Sequence, residues 1–115
     1  MTNSAAQNTT GWSAALSAIT DTPDVTPPTP DPMTFASPPA GLGASAITMT
    51  ATTATDENGV EYYFEATDGG NDSGWQDSPD YTDTGLTPET TYSYRVRARD
   101  KSESQNATGW SAIAV

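Results

Sequence analysis

The residues of this sequence that are best suited to chemistry are oxygen-bearing side chains on two predicted turns. Asp56, Glu57 and Asn58 belong to one turn, and Asp100 begins the other. If the two turns meet at one end of the fold, their carboxylate and amide oxygens form a ligand set suited to calcium. The alternating Asp-x-Asp-x-Asp-Gly pattern of a strong calcium loop is missing. Hydrogen bonding of these side chains to nearby backbone is therefore the favoured interpretation.

Catalysis is disfavoured by two residue types that the chain lacks. It has no histidine and no cysteine, which removes the usual general base, the usual zinc ligands and any disulfide. Pairs of carboxylates can hydrolyse glycosidic bonds, but nothing in the sequence predicts an aromatic-lined cleft around these turns. We therefore predict that the chain is not an enzyme and has no catalytic residues and no cofactor, with calcium near Asp56 and Asp100 as the open alternative.

The net charge of −11 over 115 residues limits the partners of the chain. It offers no basic patch for nucleic acid or for an anionic membrane, and no apolar run approaches the roughly 20 residues that span a bilayer. We predict a secreted or cell-surface protein that binds no nucleic acid and does not insert into a membrane. The basic residues are four in number: Arg95, Arg97, Arg99 and Lys101.

Alternation of apolar and polar residues predicts strands, and no window has a helical period. The clearest case is residues 92–99, in which tyrosine, valine and alanine alternate with serine and arginine. Pro38 and Pro39 should end the first strand, because proline cannot donate to a sheet ladder. The predicted strands cover residues 33–36, 46–53, 60–67, 75–76, 81–84, 92–99 and 110–115.

The residues in front of the strand at 92–99 carry a more specific signal. The spacing Leu86-x-Pro88-x-Thr90-x-Tyr92 resembles the tyrosine corner of the fibronectin type III family. The resemblance implies that the Tyr92 phenol bonds to backbone a few residues upstream and that Leu86 plugs the core. It also implies the fold, an all-β, seven-stranded, two-sheet immunoglobulin-like sandwich.

Other segments are similar to fibronectin type III repeats of secreted multidomain bacterial proteins, among them Asp56–Tyr62 and Gly74–Gln76. The resemblance implies a spacer or adhesion module, of a kind often attached to carbohydrate-active enzymes. Ala51 stands where many members of the family have a tryptophan. Tyr62, Tyr94 or another aromatic residue must then fill the core.

Nearly the same octet occurs twice, as Gln7–Ala14 and Gln105–Ala112, which differ only at Thr9 and Ala107; the Trp residues of the two copies are 110 − 12 = 98 positions apart. That offset is close to the roughly 100 residues of one immunoglobulin-like sandwich. The second copy should open the last strand of the domain, so the first copy is a surplus strand. We predict a surplus strand in residues 1–20, a Pro/Thr-rich linker in residues 21–32 and a domain in residues 33–115.

The surplus strand would form an N-terminal arm with Trp12, Ala14, Leu16 and Ala18 on one face. Unpaired strand edges invite pairing with another sheet. The arm therefore predicts self-association, with copies of the chain or adjacent repeats as partners. Two interpretations stay open, a slice of a longer tandem array and a subunit that builds a filament by strand addition.

A carbohydrate-binding or adhesion module of a secreted polysaccharide-active enzyme is the alternative to a structural, self-associating module. On that interpretation the aromatic side chains of Trp75, Tyr63 and Tyr81 would stack on sugar rings. Polysaccharide would then be the partner.

The charges of the third and sixth predicted strands are complementary. Glu61 and Glu65 should lie opposite the arginines, because the two strands are neighbours in this fold. Trp110 could cover the arginines with its indole. This arrangement resembles the ladder made by the Trp-Ser-x-Trp-Ser box of class I cytokine receptors, although only Trp110-Ser111 is present. The predicted structural residues are Leu86, Pro88, Tyr92, Arg95, Arg97 and Trp110.

Overall fold

The computed structural model describes residues 24–115 and contains six strands in this range, without a helix. They form two antiparallel sheets, with strand orders β1-β2-β5 and β4-β3-β6. The all-β prediction is confirmed for these residues. The arm prediction, with Trp12, Ala14, Leu16 and Ala18 in residues 1–20, lies outside them. The strands are β1 (Phe35–Gly41), β2 (Ile47–Ala51), β3 (Val60–Asp68), β4 (Trp75–Gln76), β5 (Asp80–Asp83) and β6 (Ser93–Asp100).

The alternating sequence of β6 gives that strand one buried and one half-exposed face. Tyr94, Val96 and Ala98 are 0% exposed, and the residues between them are partly accessible. Side chains of successive strand residues point to opposite faces, so the pattern follows from the extended backbone alone.

Apolar side chains from both sheets share one core, so the sheets pack face to face as a sandwich. Ala51 is buried but small, and Phe64 supplies the aromatic bulk at the centre with 0% exposure. The Phe64 ring stacks on Tyr81 of the opposite sheet, with ring centroids 5.4 Å apart. The other large side chains at the centre of the core are Met33, Met49, Tyr94 and Val96.

β1 differs from its sequence prediction, because it continues through Pro38 and Pro39 to Gly41. It pairs with β2 through two register shifts, between Phe35 and Ser37 and between Ser37 and Ala40. β1 is the outer strand of its sheet, so a proline there can leave its missing N–H on the unpaired side. The edge position, together with the register shift between Ser37 and Ala40 that spans both prolines, explains why the prolines did not end the strand.

Residues 107–115, called here the closing segment, run along the free edge of β6 but do not form a regular strand. The amides of Thr108 and Ser111 donate to the carbonyls of Ala98 and Val96, each at 2.8 Å. In return, the amides of Ala98 and Val96 donate to the hydroxyls of Thr108 and Ser111, at 3.1 and 3.0 Å. The hydroxyl oxygens of Thr108 and Ser111 thus replace backbone carbonyls as acceptors. This interrupts the regular ladder of backbone hydrogen bonds between the closing segment and β6.

Residues 24–32, called here the lead-in segment, lie against the sandwich. Thr29 exchanges two backbone hydrogen bonds with Thr55, at 3.0 and 2.9 Å. Asn106 donates to the carbonyl of Asp24 at 2.7 Å, and the amide of Gly109 donates to Asp31 at 2.8 Å. The lead-in segment is therefore held by the turn before β3 and by the residues around the closing segment.

Asp83, at the end of β5, is a buried carboxylate, 1% exposed. It accepts hydrogen bonds from the Tyr94 phenol at 2.6 Å and from the backbone and side-chain nitrogens of Asn71 at 2.9 and 2.8 Å. Burial by itself raises the pKa of Asp83, but these donors favour the charged form and hold its pKa below the usual value. Because Tyr94 belongs to β6, this network ties the two sheets together.

The first prediction compares two glycines that have φ angles of 69° and 72°, Gly70 and Gly74. A β carbon at Gly74 would meet nothing within 4 Å, whereas one at Gly70 would lie 2.9 Å from Asp83 Oδ2 and 3.1 Å from Tyr94 Oη. Gly74→Ala should lower the free energy of unfolding by about 1 kcal/mol, the cost of a left-handed alanine. Gly70→Ala should lower it by about 2 to 4 kcal/mol, because it also displaces the buried network. Urea unfolding measures both, and equal losses would contradict the role given to Gly70.

The second prediction concerns acid unfolding. The folded-state pKa of Asp83 is lowered, so the unfolded chain binds the proton more tightly. The stabilisation from Asp83 is then present above the unfolded pKa of roughly 3.9 and is lost as the pH falls through the folded pKa. Asp83→Asn should destabilise the domain by about 2 kcal/mol or more at pH 7 and lose less stability between pH 4 and pH 2. Parallel losses in the wild type and the variant, measured by urea unfolding, would show that Asp83 does not drive the acid limb.

Candidate functional site

A row of stacked arginine and tryptophan side chains covers the outer face of the β4-β3-β6 sheet. The Trp110 ring has the guanidinium groups of Arg95 and Arg97 at 4.2 and 4.6 Å from its centroid. The Trp75 ring has those of Arg97 and Arg99 at 5.4 and 4.1 Å. Arg97 therefore contacts both indoles. These five side chains are called the arginine–tryptophan row.

Three residues of the neighbouring strand β3 lie opposite the arginines of the row. Glu65 pairs with Arg95 at 2.5 Å and Glu61 pairs with Arg99 at 2.9 Å, as expected from their opposite positions in the register. Both pairs are partly exposed, so each contributes about 0.2 to 1 kcal/mol. Arg97 has Tyr63 opposite it instead of an acid, and its buried Nε has no hydrogen-bond acceptor. The indoles, rather than a carboxylate, hold Arg97 in place.

Trp75 belongs to this packing and does not stand free as a sugar platform. Besides its two guanidinium contacts, Trp75 meets the Tyr63 ring edge-on at 5.3 Å, and Tyr63 meets Trp110 at 6.1 Å. Tyr81 lies elsewhere, stacked on Phe64, and its hydroxyl donates to the Asn71 carbonyl at 2.7 Å. Burial, together with nearby Asp83, raises the pKa of Tyr81 to about 12. The three aromatic residues considered for sugar stacking therefore do not share one open surface.

The turn before β6 has the geometry that its spacing suggests. The amide of Thr87 donates to the Tyr92 hydroxyl at 2.9 Å, and Leu86 is 8% exposed. Pro88 is exposed, and its carbonyl accepts a hydrogen bond from the Thr90 hydroxyl at 3.2 Å. This turn leads directly into β6.

A second feature is a cluster of three carboxylates, Asp24, Asp56 and Asp100, which lies at the end of β6. One oxygen from each residue lies within 4.8 Å of the others. The two turns that carry Asp56 and Asp100 therefore meet. The backbone amide of Asn58 donates to Asp56 Oδ1 at 2.9 Å, which is an ordinary turn bond. Glu57 lines an adjacent cleft of about 300 Å³.

Asp24 is the member that sequence reasoning missed. It lies in the Pro/Thr-rich stretch, far from both turns along the chain, and no local spacing connects it to them. The folding of the lead-in segment onto the sandwich brings it into the cluster. An acidic residue close to the start of a proline-rich stretch is a weak signal that could not have identified its partners.

The carboxylates of the cluster differ in the number of hydrogen bonds that they accept. Asp100, 0% exposed, accepts bonds from Ser102 and from the backbone and side chain of Asn106. Burial by itself raises the pKa of Asp100, but these donors outweigh that effect, hold the pKa below its usual value and keep the carboxylate charged. For Asp24, the Thr26 amide lowers the pKa, whereas burial and the nearby Asp100 and Asp56 raise it overall. The cluster therefore concentrates negative charge.

The described residues define a small all-β domain of two facing antiparallel sheets, and none of its elements is a helix able to span a membrane. No protein-family model matches the chain. It is similar to Exoglucanase B of Cellulomonas fimi, with 38% identity over 117 aligned residues. The match covers 96% of this chain and 10% of that protein. The chain thus spans about a tenth of the length of the curated relative that it matches.

The third prediction tests the arginine–tryptophan row. Trp110→Ala removes the surface on which Arg95 and Arg97 stack, so it should lower the free energy of unfolding by about 2 kcal/mol. Ile113→Ala is the matched control in the same segment, because Ile113 is 58% exposed; it should change stability by less than about 0.5 kcal/mol. Chemical denaturation measures both variants. A Trp110→Ala loss as small as that of the control would show that the row adds nothing to stability.

Proposed function

We propose that this chain is a non-catalytic fibronectin type III module of a secreted enzyme that acts on polysaccharide, and that it spaces other parts of that enzyme. The observation that carries the proposal is the similarity to Exoglucanase B along 96% of this chain but only 10% of the relative. A module carried within larger enzymes would give such a match. An extracellular location follows from the same proposal.

The architecture supports the family assignment. The strand orders are β1-β2-β5 and β4-β3-β6, and counting the closing segment, which is hydrogen-bonded to the outer side of β6, as a seventh segment supports a three-plus-four arrangement. Seven extended segments in two sheets are what an immunoglobulin-like sandwich requires. The Tyr92 hydroxyl, which accepts from the Thr87 amide, provides the bond expected of a tyrosine corner.

The state of the aromatic side chains favours spacing over sugar binding. A sugar-binding platform presents open ring faces on which pyranose rings stack. Trp75 and Trp110 instead have guanidinium groups over their rings, and Tyr63 meets both indoles. This sheet face is satisfied by its own side chains, which suits a module whose task is to hold shape.

Self-association through the arm is a second candidate, which a specific observation favours. Four residues hold the closing segment and the position just before it against β6: Asn106, Thr108, Trp110 and Ser111. At the offset of 98 positions, the first octet has the same residue types: Asn8, Thr10, Trp12 and Ser13. We propose that residues 1–20 close the sheet of a neighbouring module, either an adjacent repeat or another copy of the chain.

The fourth prediction tests both candidates on the same samples. The full chain and a Trp75→Ala variant, both checked for folding by circular dichroism, are sedimented with microcrystalline cellulose and assayed for released reducing sugar. A spacer predicts that both stay in the supernatant and that neither releases sugar. Light scattering of the full chain and of a chain without residues 1–20 then reports assembly.

The outcomes separate the alternatives. Retention of the wild type on cellulose, abolished by Trp75→Ala, would replace spacing with carbohydrate binding. Release of sugar would overturn the non-catalytic assignment. A mass that rises with concentration for the full chain, and not for the shortened one, supports the arm as a contact. A monomeric full chain would overturn association between copies and leave the adjacent repeat as the partner.

A further inference from the structure

The geometry points to a divalent-cation site, and we propose that Asp24, Asp56 and Asp100 bind calcium there. The proposal goes beyond a spacing role, because the ion would fasten the lead-in segment to the sandwich. Asp24 lies in the lead-in segment, Asp56 in the turn before β3, and Asp100 at the last position of β6. One ion would therefore join three separate parts of the chain.

The distances between the carboxylates are suited to one shared ion. Three oxygens, one from each residue, lie within 4.8 Å of one another. Calcium binds oxygen ligands at about 2.3 to 2.6 Å, so a central ion can reach ligands that are up to roughly twice that distance apart. Without a cation, three carboxylates so close together repel one another. The fully buried Asp100 makes that repulsion more costly, since water does not screen it.

A second observation, independent of the clustering, concerns one oxygen of Asp24. Its Oδ1 accepts a hydrogen bond from the Thr26 amide at 2.9 Å. Its Oδ2 has less than 1 Å² of accessible surface and accepts no hydrogen bond. A buried carboxylate oxygen without a donor is unfavourable and calls for a partner. An oxygen of Asp24 lies within 4.8 Å of one of Asp100, and the carboxylate of Asp100 accepts its hydrogen bonds and donates none. A cation is the partner that would satisfy both.

Among the described residues 24–115, no basic side chain pairs with this cluster. The sequence has four basic residues, and the structure places all of them in other contacts. Lys101 is next to Asp100 in the chain, yet its ammonium group lies 2.8 Å from Asp77. Arg95 and Arg99 pair with Glu65 and Glu61, and Arg97 stacks on the two indoles. Since no basic side chain of residues 24–115 pairs with the cluster, we expect the positive charge that offsets it to come from solution, and one divalent cation supplies it.

The chemistry of the ligands selects a hard cation. Every available donor is oxygen, and the chain has no histidine or cysteine for zinc or copper. Calcium accepts six to eight oxygen ligands in irregular geometry, with water among them. The cleft of about 300 Å³ beside Asp24 and Asp56 gives room for such waters, and Glu57 adds a further acidic side chain to its wall. Magnesium is less suited, because it requires a near-ideal octahedron.

The fifth prediction is a calcium-dependent change in stability of the full chain. Titration calorimetry with CaCl2 should show one site per chain. The wild-type Tm should rise by at least about 5 °C in saturating CaCl2 relative to EDTA, and by less in MgCl2. Asp24→Asn and Asp56→Asn should each weaken calcium binding by roughly 100-fold or more, as expected on loss of a direct ligand. In EDTA both variants should be at least as stable as the wild type, because one like charge is removed.

Asp68→Asn is the matched control, since Asp68 is exposed at the far end of β3 and the substitution changes the net charge by the same amount. It should keep the full calcium shift. An unchanged wild-type Tm in calcium would overturn the proposal and indicate that the carboxylates share a proton. An equal Tm shift in Asp24→Asn and Asp68→Asn would also overturn the proposal, because it would show that calcium only screens the acidic surface in general. Neither result depends on whether the module spaces an enzyme.

Discussion

The structure depends on the two-residue period of β6. Because successive side chains point to opposite faces, one short strand supplies Tyr94 and Val96 to the core and Arg95 and Arg97 to the outer face. Its backbone is hydrogen-bonded to β3 on one side and to the closing segment on the other. A shift of one residue would bury the arginines and expose the core residues, so the register of β6 is strongly constrained.

Two buried carboxylates lie near opposite ends of the sandwich, and they differ in the groups that surround them. Asp83 has its donors within the fold, the Tyr94 phenol and both nitrogens of Asn71. Asp100 also has donors, but two further carboxylates lie beside it. The first arrangement is a closed network that ties the sheets together. The second has an excess of acceptors, which is the arrangement that attracts a cation.

These features suit the spacing role proposed for the module. The outer sheet face is occupied by its own arginines and indoles, and the lead-in segment packs against the domain that it precedes. A spacer in a larger enzyme needs a defined angle at each junction more than it needs a pocket. Calcium at the junction formed by Asp24 would make that angle depend on the ion, which connects the cation site with the proposed role.

The sequence by itself determined the features that depend on the local alternation of apolar and polar residues. Alternation along the chain identified the all-β class and the faces of β6, because a strand's faces depend only on residue parity. The charge pairs of Glu61 and Glu65 with the arginines also needed the strand order that the family resemblance implies. The tertiary structure decided which distant residues meet: Asp24 joins Asp56 and Asp100, Trp75 joins the row, and the edge position of β1 lets it pass through two prolines. Such meetings depend on how loops and segments fold back in space, which no spacing along the chain encodes.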